Sequence, residues 1–245
     1  MVGKSVLIKK WLILSVLLTV LLSGKAMAQS RSTDFGSGMI SHDKPTGWND
    51  PKNKSDGLYR DWIVDADPEK SLKAFPRLFL NSPEIAQTIP CLPPLGDWSG
   101  NHISSGFGWR NHSTLRSIRH HDGIDIAGPH QYVRAAATGR VEVVGHSQSL
   151  GRYVRIDHLN SYSTVYGHLA TTMVQPGQFL QIGQTLGITG RSGRATGIHL
   201  HYSVLKHNVP LNPVPYLRLA VDFVNQYQRQ LNTNNLRKPT QLWPK

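Results

Sequence analysis

The sequence predicts a mainly β protein, with a compact antiparallel sheet domain over residues 89–215 and an irregular N-terminal arm before it. The runs YVRAAATGRVEVVGHS, GRYVRIDHLNSYSTVYGHLA, QFLQIGQTLGITGRSG and GIHLHYSVL are β-prone and separated by glycine-containing turns. Within them Val141/Val143, Val154/Ile156 and Leu200/Tyr202/Val204 alternate with period two, the signature of a strand with one buried face. No helical pattern of roughly 10–15 residues separates the runs, which argues against βαβ units.

Along the chain, Lys4, Lys9 and Lys10 precede an apolar run from Trp11 to Leu22, and Ala26-Met27-Ala28 forms a small-x-small pattern before Gln29. This is the layout of a signal peptide over residues 1–28, cleaved after Ala28. The run falls short of the roughly 20 residues that cross a bilayer. No membrane span is therefore expected after cleavage, and an uncleaved anchor is the competing reading. The protein reads as an exported bacterial one, periplasmic or secreted. Residues 29–57 are poor in apolar residues and rich in Ser, Gly, Asp, Asn and Lys. Residues 58–88 are more apolar, with short helix or strand possibilities broken at Pro68, Pro76 and Pro83. Together, 29–88 form an arm whose role the sequence does not assign. IPCLPPLGDW (89–98) is a stiff lead-in, because Pro93-Pro94 suits neither a helix nor a central strand. Residues 216–245 form a tail that could begin with a short helix and then loses its apolar stripe.

The formal charge is +12; loss of Lys4, Lys9, Lys10 and Lys25 with the presequence lowers it to +8. A moderately basic exported protein suits an anionic partner such as cell wall, membrane surface or nucleic acid, or simply a solvated basic surface. No helix-turn-helix, zinc-finger or RNA-binding motif accompanies the charge, so no nucleic-acid partner is expected. Ten of the 15 acids lie between Asp34 and Asp97, leaving the later part markedly basic. Cys91 is the only cysteine, so no intrachain disulfide can form and this is not a disulfide scaffold.

Four stretches can carry chemistry: SSGFGWR (104–110), HHDGID (120–125), YGHL (166–169) and GIHLHY (197–202). His121 and Asp125 would be about 13 Å apart on an extended chain, too far to share an ion bound at roughly 2 Å. The chain must bend between them, as Gly123 permits. His199 and His201 point to one face of a strand while Leu200 and Tyr202 point to the other. Alone, such a pair can be partly exposed edge-strand histidines. With His121 and Asp125, one of the two would complete the three protein ligands of a catalytic zinc site. A helical His-Glu-x-x-His motif is absent, and Glu142 is the only glutamate after Asp97. That leaves imidazole as the general base, from the spare histidine of the pair or His168.

The order His-x-Gly-x-Asp, Tyr-Gly-His-Leu, Gly-x-His-Leu-His resembles the M23 family of zinc metallopeptidases, the lysostaphin/LytM-type peptidoglycan endopeptidases. SSGFGWR, AAATGRVEVVG and VQPGQFLQIGQTLGITGRSGRATGIHLHYSV resemble the family as well, over about residues 95–205. The resemblance implies a small antiparallel β core with an open groove, holding one Zn²⁺ on His121, Asp125 and His201. It makes His168 and His199 the catalytic histidines, and peptidoglycan peptides the substrate. His120 falls outside the ligand positions. Some relatives have lost their ligands and act as non-enzymatic amidase activators, which is the alternative reading, together with inactive wall binding. The arm over 29–88 matches no recognisable module and would line the groove, occlude it or contact a regulatory partner.

Overall fold

The computed structural model describes residues 68–96, 101–111 and 117–220, with residues 222, 223, 225 and 229 beyond. The expected signal peptide, the arm as far as residue 67, the loop over 112–116 and the tail from 230 lie outside the described residues. Helices α1 (Pro68–Asn81) and α2 (Pro83–Ala86) come first. The strands are β1 (His102–Ser105), β2 (Gly108–Asn111), β3 (Ile118–His121), β4 (Ile124–Ala127), β5 (Tyr132–Arg134) and β6 (Gly139–Ser147). They continue as β7 (Gly151–Asp157), β8 (Tyr162–Thr172), β9 (Phe179–Leu180), β10 (Thr185–Thr189), β11 (His199–Lys206) and β12 (Val209–Leu211).

Among the described residues every strand pairing is antiparallel. The main sheet runs β1-β4-β11-β8-β7-β6-β9, with β10 joining β5 to β8 and β12 flanking β11; β2 and β3 form a separate hairpin. The expected antiparallel β architecture is what the chain adopts. Tight turns make this possible: His207 and Asn208 link β11 to β12 with φ of 50° and 63°, the positive values a two-residue hairpin turn requires.

Two of the three alternating sets found in the sequence, Val154/Ile156 and Leu200/Tyr202/Val204, face the core whole; of Val141/Val143 only Val141 does, because the β6–β7 register shifts between them and Val144 packs against the core in place of Val143. Val141, Val154, Ile156, Leu200, Tyr202 and Val204 are all at most 1% exposed. Each side chain of this size contributes roughly 1.5–3 kcal/mol on burial, so the two complete sets fix the register of β7 and β11.

Pro76 reads as a break, yet α1 runs through it. Losing one backbone hydrogen bond and admitting the ring costs about 3 kcal/mol in a helix interior. Phe75, Leu78 and Phe79 on this helix are buried, and the Phe75 and Phe79 rings meet Phe223 at centroid distances of 6.3 and 4.6 Å. Long-range burial therefore outweighs the local penalty. Buried side chains of α1 and α2, with Ile89 after them and Tyr216, Leu217, Ala220 and Phe223 near the other end, share one apolar core with the sheet. Backbone hydrogen bonds continue the join, from Thr138 N–H to Gln87 O (2.7 Å) and from Ala220 N–H to Cys91 O (3.2 Å).

A polar link lies inside this base of the sheet. His158 is fully buried, its Nδ1–H donating to Thr138 O (3.0 Å) and its Nε2 accepting from the Thr164 hydroxyl (2.8 Å). Burial pushes its pKa down to about 4, against the opposing pull of the Thr138 carbonyl and Asp157. The folded state thus binds this proton less readily than the unfolded chain. The His158 contribution is complete above the ordinary histidine value, near pH 6.5, and is lost as pH falls toward 4. The loss is on the order of 3 kcal/mol. Urea unfolding of wild type and His158→Gln at pH 7 and pH 4 should show this difference in their pH slopes; parallel slopes would remove His158 as the cause.

Candidate metal centre

His121 ends β3 and Asp125 lies in β4, so they belong to different sheets. The bend between them relies on Gly123, where a Cβ would sit 2.5 Å from both Ser203 Oγ and Tyr202 O. Only a residue without a side chain allows that approach. On the other side, Asp125 lies directly opposite His201 in the β4–β11 ladder, and Gly167 of β8 lies opposite His201 in turn. Cross-strand partners have Cβ atoms about 5 Å apart, so the ladder itself brings carboxylate and imidazole together.

The result is tight. His121 Nε2 lies 3.1 Å from His201 Nδ1 and 3.3 Å from Asp125 Oδ1, and His201 Nδ1 is 3.1 Å from the same oxygen. His121, Asp125 and His201 form one group of atoms able to hold a metal ion; Asp125, His168 and His199 form a second, overlapping group. His168 and His199 pack with ring centroids 4.4 Å apart, and His168 lies 6.1 Å from His201. His199 Nε2 is 3.9 Å from Asp125 Oδ1. All five residues singled out in the sequence therefore meet at one place. His120 points elsewhere, to Asp122 Oδ1 at 2.7 Å.

Hydrogen bonds to backbone carbonyls fix the ring orientations. His121 Nδ1–H donates to Gly106 O (2.8 Å), His168 Nδ1–H to Ser192 O (2.8 Å), and His199 Nδ1–H to Gly197 O (3.0 Å). A carbonyl can only accept, so the tautomer with a free Nε2 lone pair is the one each of these bonds selects. His201 is turned the other way, with Nε2 2.9 Å from Ser203 Oγ and Nδ1 toward Asp125. The Ser203 hydroxyl serves either tautomer, accepting from Nε2–H or donating to a bare Nε2. With Nε2–H on Ser203, three acceptors converge: His121 Nε2, Asp125 Oδ1 and His201 Nδ1. Two imidazole nitrogens and one carboxylate oxygen, each oriented by a second partner, suit a divalent metal.

The electrostatics agree with that donor set. Burial alone would raise the Asp125 carboxyl, but His121 and His201 at its oxygen hold it well below the usual carboxylate range. It is ionised at any ordinary pH. Arg110 Nη2 stands 3.5 Å from the other carboxylate oxygen, leaving Oδ1 to the histidines. Burial lowers the pKa of His201, and that of His168 to about 4, so both are neutral near pH 7.

His168 is placed by strain as well as by hydrogen bonding. Its φ is 60°, rare for a residue with a side chain, and it sits where the β7–β8 register shifts. A bulge of this kind re-aims a side chain. The Ser192 carbonyl that receives its N–H comes from the loop between β10 and β11. That loop crosses the β6–β7 turn at Gly193 and Gly151, whose φ values are 70° and 60°. A Cβ on Gly193 would overlap the Gly151 backbone nitrogen. Ser192 Oγ locks the crossing, receiving Arg152 N–H (2.9 Å) and donating to Leu169 O (2.8 Å).

Ser203 and Arg110 were missed in the sequence reading. Ser203 was within reach of it, since the alternation that puts His199 and His201 on one face puts Ser203 there too. The Ser192 carbonyl was not, because a backbone acceptor leaves no residue-type signal.

The antiparallel sheet thus gathers a His/Asp/His cluster able to hold a metal ion and two more histidines beside it. Residues 119–213 match the model of Peptidase family M23. DD-carboxypeptidase/endopeptidase Mpg of Neisseria meningitidis serogroup B is 41% identical over 113 residues, 46% of this chain and 26% of that protein. Peptidoglycan DD-endopeptidase ShyC of Vibrio cholerae is 40% identical over 113 residues, 45% of this chain and 26% of that one. The chain thus spans about a quarter of the length of these curated relatives. A crystal structure of a zinc-containing peptidase from Vibrio cholerae aligns with 51% of this chain and 38% of its own, at 35% identity and a TM-score of 0.47.

The Gly151–Gly193 crossing can be tested apart from any activity. Gly193→Ala should destabilise the protein by at least about 1 kcal/mol and displace the Ser192 carbonyl. ¹⁵N NMR should then show His168 losing its fixed Nδ1–H tautomer. An unchanged His168 signal would mean that the crossing does not orient this ring.

Proposed function

We propose that this protein is an exported, zinc-dependent endopeptidase that hydrolyses peptide bonds in bacterial peptidoglycan stems or cross-links. The observation that carries this reading is the convergence of His121 Nε2, Asp125 Oδ1 and His201 Nδ1 within 3.3 Å of one another. These three atoms are the ones that would hold the metal. The names of the two relatives make a D,D peptide bond the first to assay.

A Zn²⁺ ion on these ligands would polarise the scissile carbonyl and lower the pKa of water. The chain's own residues supply the remaining parts. Asp125 brings one negative charge against two neutral imidazoles, leaving a site with the ion at a formal +1. His168, neutral near pH 7, offers its Nε2 to accept a proton while the Ser192 carbonyl keeps its Nδ1–H in place. His199 offers Nε2 from the adjacent ring, with Nδ1–H kept on Gly197. Either ring can take a proton from the attacking water and return it to the leaving amine, the ordinary work of general acid–base catalysis. Ser203 orients His201 for its ligand role and leaves His199 free for proton transfer.

We further propose that residues 89–215 form the peptidase domain, braced by residues 68–88 before it and by the start of the 216–245 tail after it. Export would rest on the signal peptide read over residues 1–28. Among the described residues, no helix is long and apolar enough to cross a membrane.

The purified full chain should contain about one zinc per molecule, as read by elemental analysis. His121→Ala and Asp125→Ala should lose both metal and turnover. Ser203→Ala should bind zinc roughly 10–100-fold more weakly, as expected on loss of a group that orients a ligand. A metal-free protein of full activity would refute the site. His168→Ala should keep the metal and lose hydrolysis by roughly 100- to 10,000-fold. Mass spectrometry of products from defined cross-linked muropeptides would identify the bond. A zinc-loaded protein that cuts none of them would favour a non-enzymatic wall-binding or amidase-activating role.

A further inference from the structure

The hairpin that carries His121 has a second face. In the β2–β3 ladder Gly108 pairs with His121 and Arg110 with Arg119, while Trp109 pairs with His120 and Asn111 with Ile118. Alternation sends the first two pairs to one side of the ribbon and the second two to the other. On that other side Trp109 and Ile118 are each 75% exposed. A lone exposed apolar residue needs no explanation. Trp109, however, is held in place. The His120 ring stands edge-on to Phe107 (centroids 5.0 Å apart) and to Trp109 (5.4 Å apart), and its Nδ1–H donates to Asp122 Oδ1 at 2.7 Å. A carboxylate-anchored imidazole between two aromatic side chains limits the motion of an indole that stays in water.

We propose that this face is a sugar-binding subsite in which the Trp109 indole stacks on a pyranose ring of the glycan bearing the stem peptide. The inference rests on the peptidoglycan reading above. Three properties of the face favour this occupant. Its size is that of one ring: a tryptophan offers at most about 250 Å², against the roughly 800 Å² per partner of a stable protein interface. Its surroundings are mixed, with the imidazole of His120 and the carboxylate of Asp122 beside the apolar surface. A pyranose has the matching character, with C–H faces and hydroxyl edges, whereas a lipid or an apolar helix would leave those polar groups without partners. Its place is continuous with the metal centre, because Trp109 adjoins Gly108, the partner of His121. Their Cα atoms are about 6 Å apart by strand geometry, a span that two residues of extended peptide cover. The glycan would lie on one side of the hairpin, and the stem would pass over its edge to the histidines.

The test compares two substrates with the same cross-linked peptide, one carrying its disaccharide and one free of sugar. Wild type should show a KM lower by roughly two- to tenfold for the sugar-bearing form, the range expected of one aromatic contact. Trp109→Ala should abolish that difference, and Trp109→Phe should retain part of it. Equal KM values in wild type, or an equal loss on both substrates in Trp109→Ala, would overturn the subsite. A second measurement does not depend on turnover. A tetramer of N-acetylglucosamine added to the full chain should shift the Trp109 indole N–H signal in the NMR spectrum, and absence of a shift would also overturn the proposal. If neither peptide is cut while the sugar still shifts Trp109, the peptidase reading fails and the sugar site stands. Concentration-dependent dimerisation that Trp109→Ala removes, without a sugar shift, would instead assign the face to a second copy of the chain.

Discussion

The pairing of His201 with Asp125 on one side and Gly167 on the other is the constraint on which the site depends. A slip of β11 by one residue would turn Leu200 toward Asp125 and drive His201 into the core. The opposite face of the strand opposes that slip. Leu200, Tyr202 and Val204 are at most 1% exposed, and the Tyr202 ring packs 5.5 Å from that of Tyr166. Moving three such side chains into water would cost several kcal/mol. Hydrophobic alternation on one face of the strand therefore aims the polar atoms that converge on the other. Gly167 completes the arrangement, since a Cβ there would press to 3.2 Å from His201 Cβ.

The second half of the site is built differently. Asp125 and His201 sit on paired strands and His121 on the adjoining hairpin, but His168 reaches them through a bulge with positive φ and a carbonyl supplied by a crossing loop. Ligands need a fixed geometry, which a ladder with buried anchors provides. A group that exchanges protons must also tolerate small displacements as its charge changes. A loop-supported bulge meets that need better than a central strand does. Backbone strain at His168 is small beside the burial energy of the sheet around it, so the fold can sustain it.

These differences explain what the sequence revealed. Period-two alternation separated His199 and His201 from Leu200 and Tyr202 because a strand side chain has only two directions. The spacing of His121 and Asp125 demanded a bend, and Gly123 marked it. Ser203 was legible by the same alternation, two residues beyond His201. The Ser192 carbonyl was not, because any residue type can offer a backbone oxygen. The helix through Pro76 was hidden for another reason. Its compensation comes from Phe223, far along the chain, and a local window contains only the penalty.

Fold and chemistry meet most closely in the different nitrogens that His199 and His201 present from one strand. Both rings lie on the same face, so alternation alone treats them alike. His199 spends Nδ1–H on the carbonyl two residues before it, at Gly197, which turns Nε2 toward Asp125 at the longer distance of 3.9 Å. His201 meets a hydroxyl two residues after it, at Ser203, which turns Nδ1 to the same carboxylate at 3.1 Å. A carbonyl allows only one tautomer, whereas a hydroxyl allows both. His201 can therefore carry a proton to Asp125 or expose a lone pair beside it without moving, as a residue that alternates between proton and metal must. His199 keeps one tautomer and one open nitrogen, which suits it to accept a proton from a bound reactant. One change of partner, carbonyl to hydroxyl, makes two histidines of a single strand present different nitrogens to the same carboxylate.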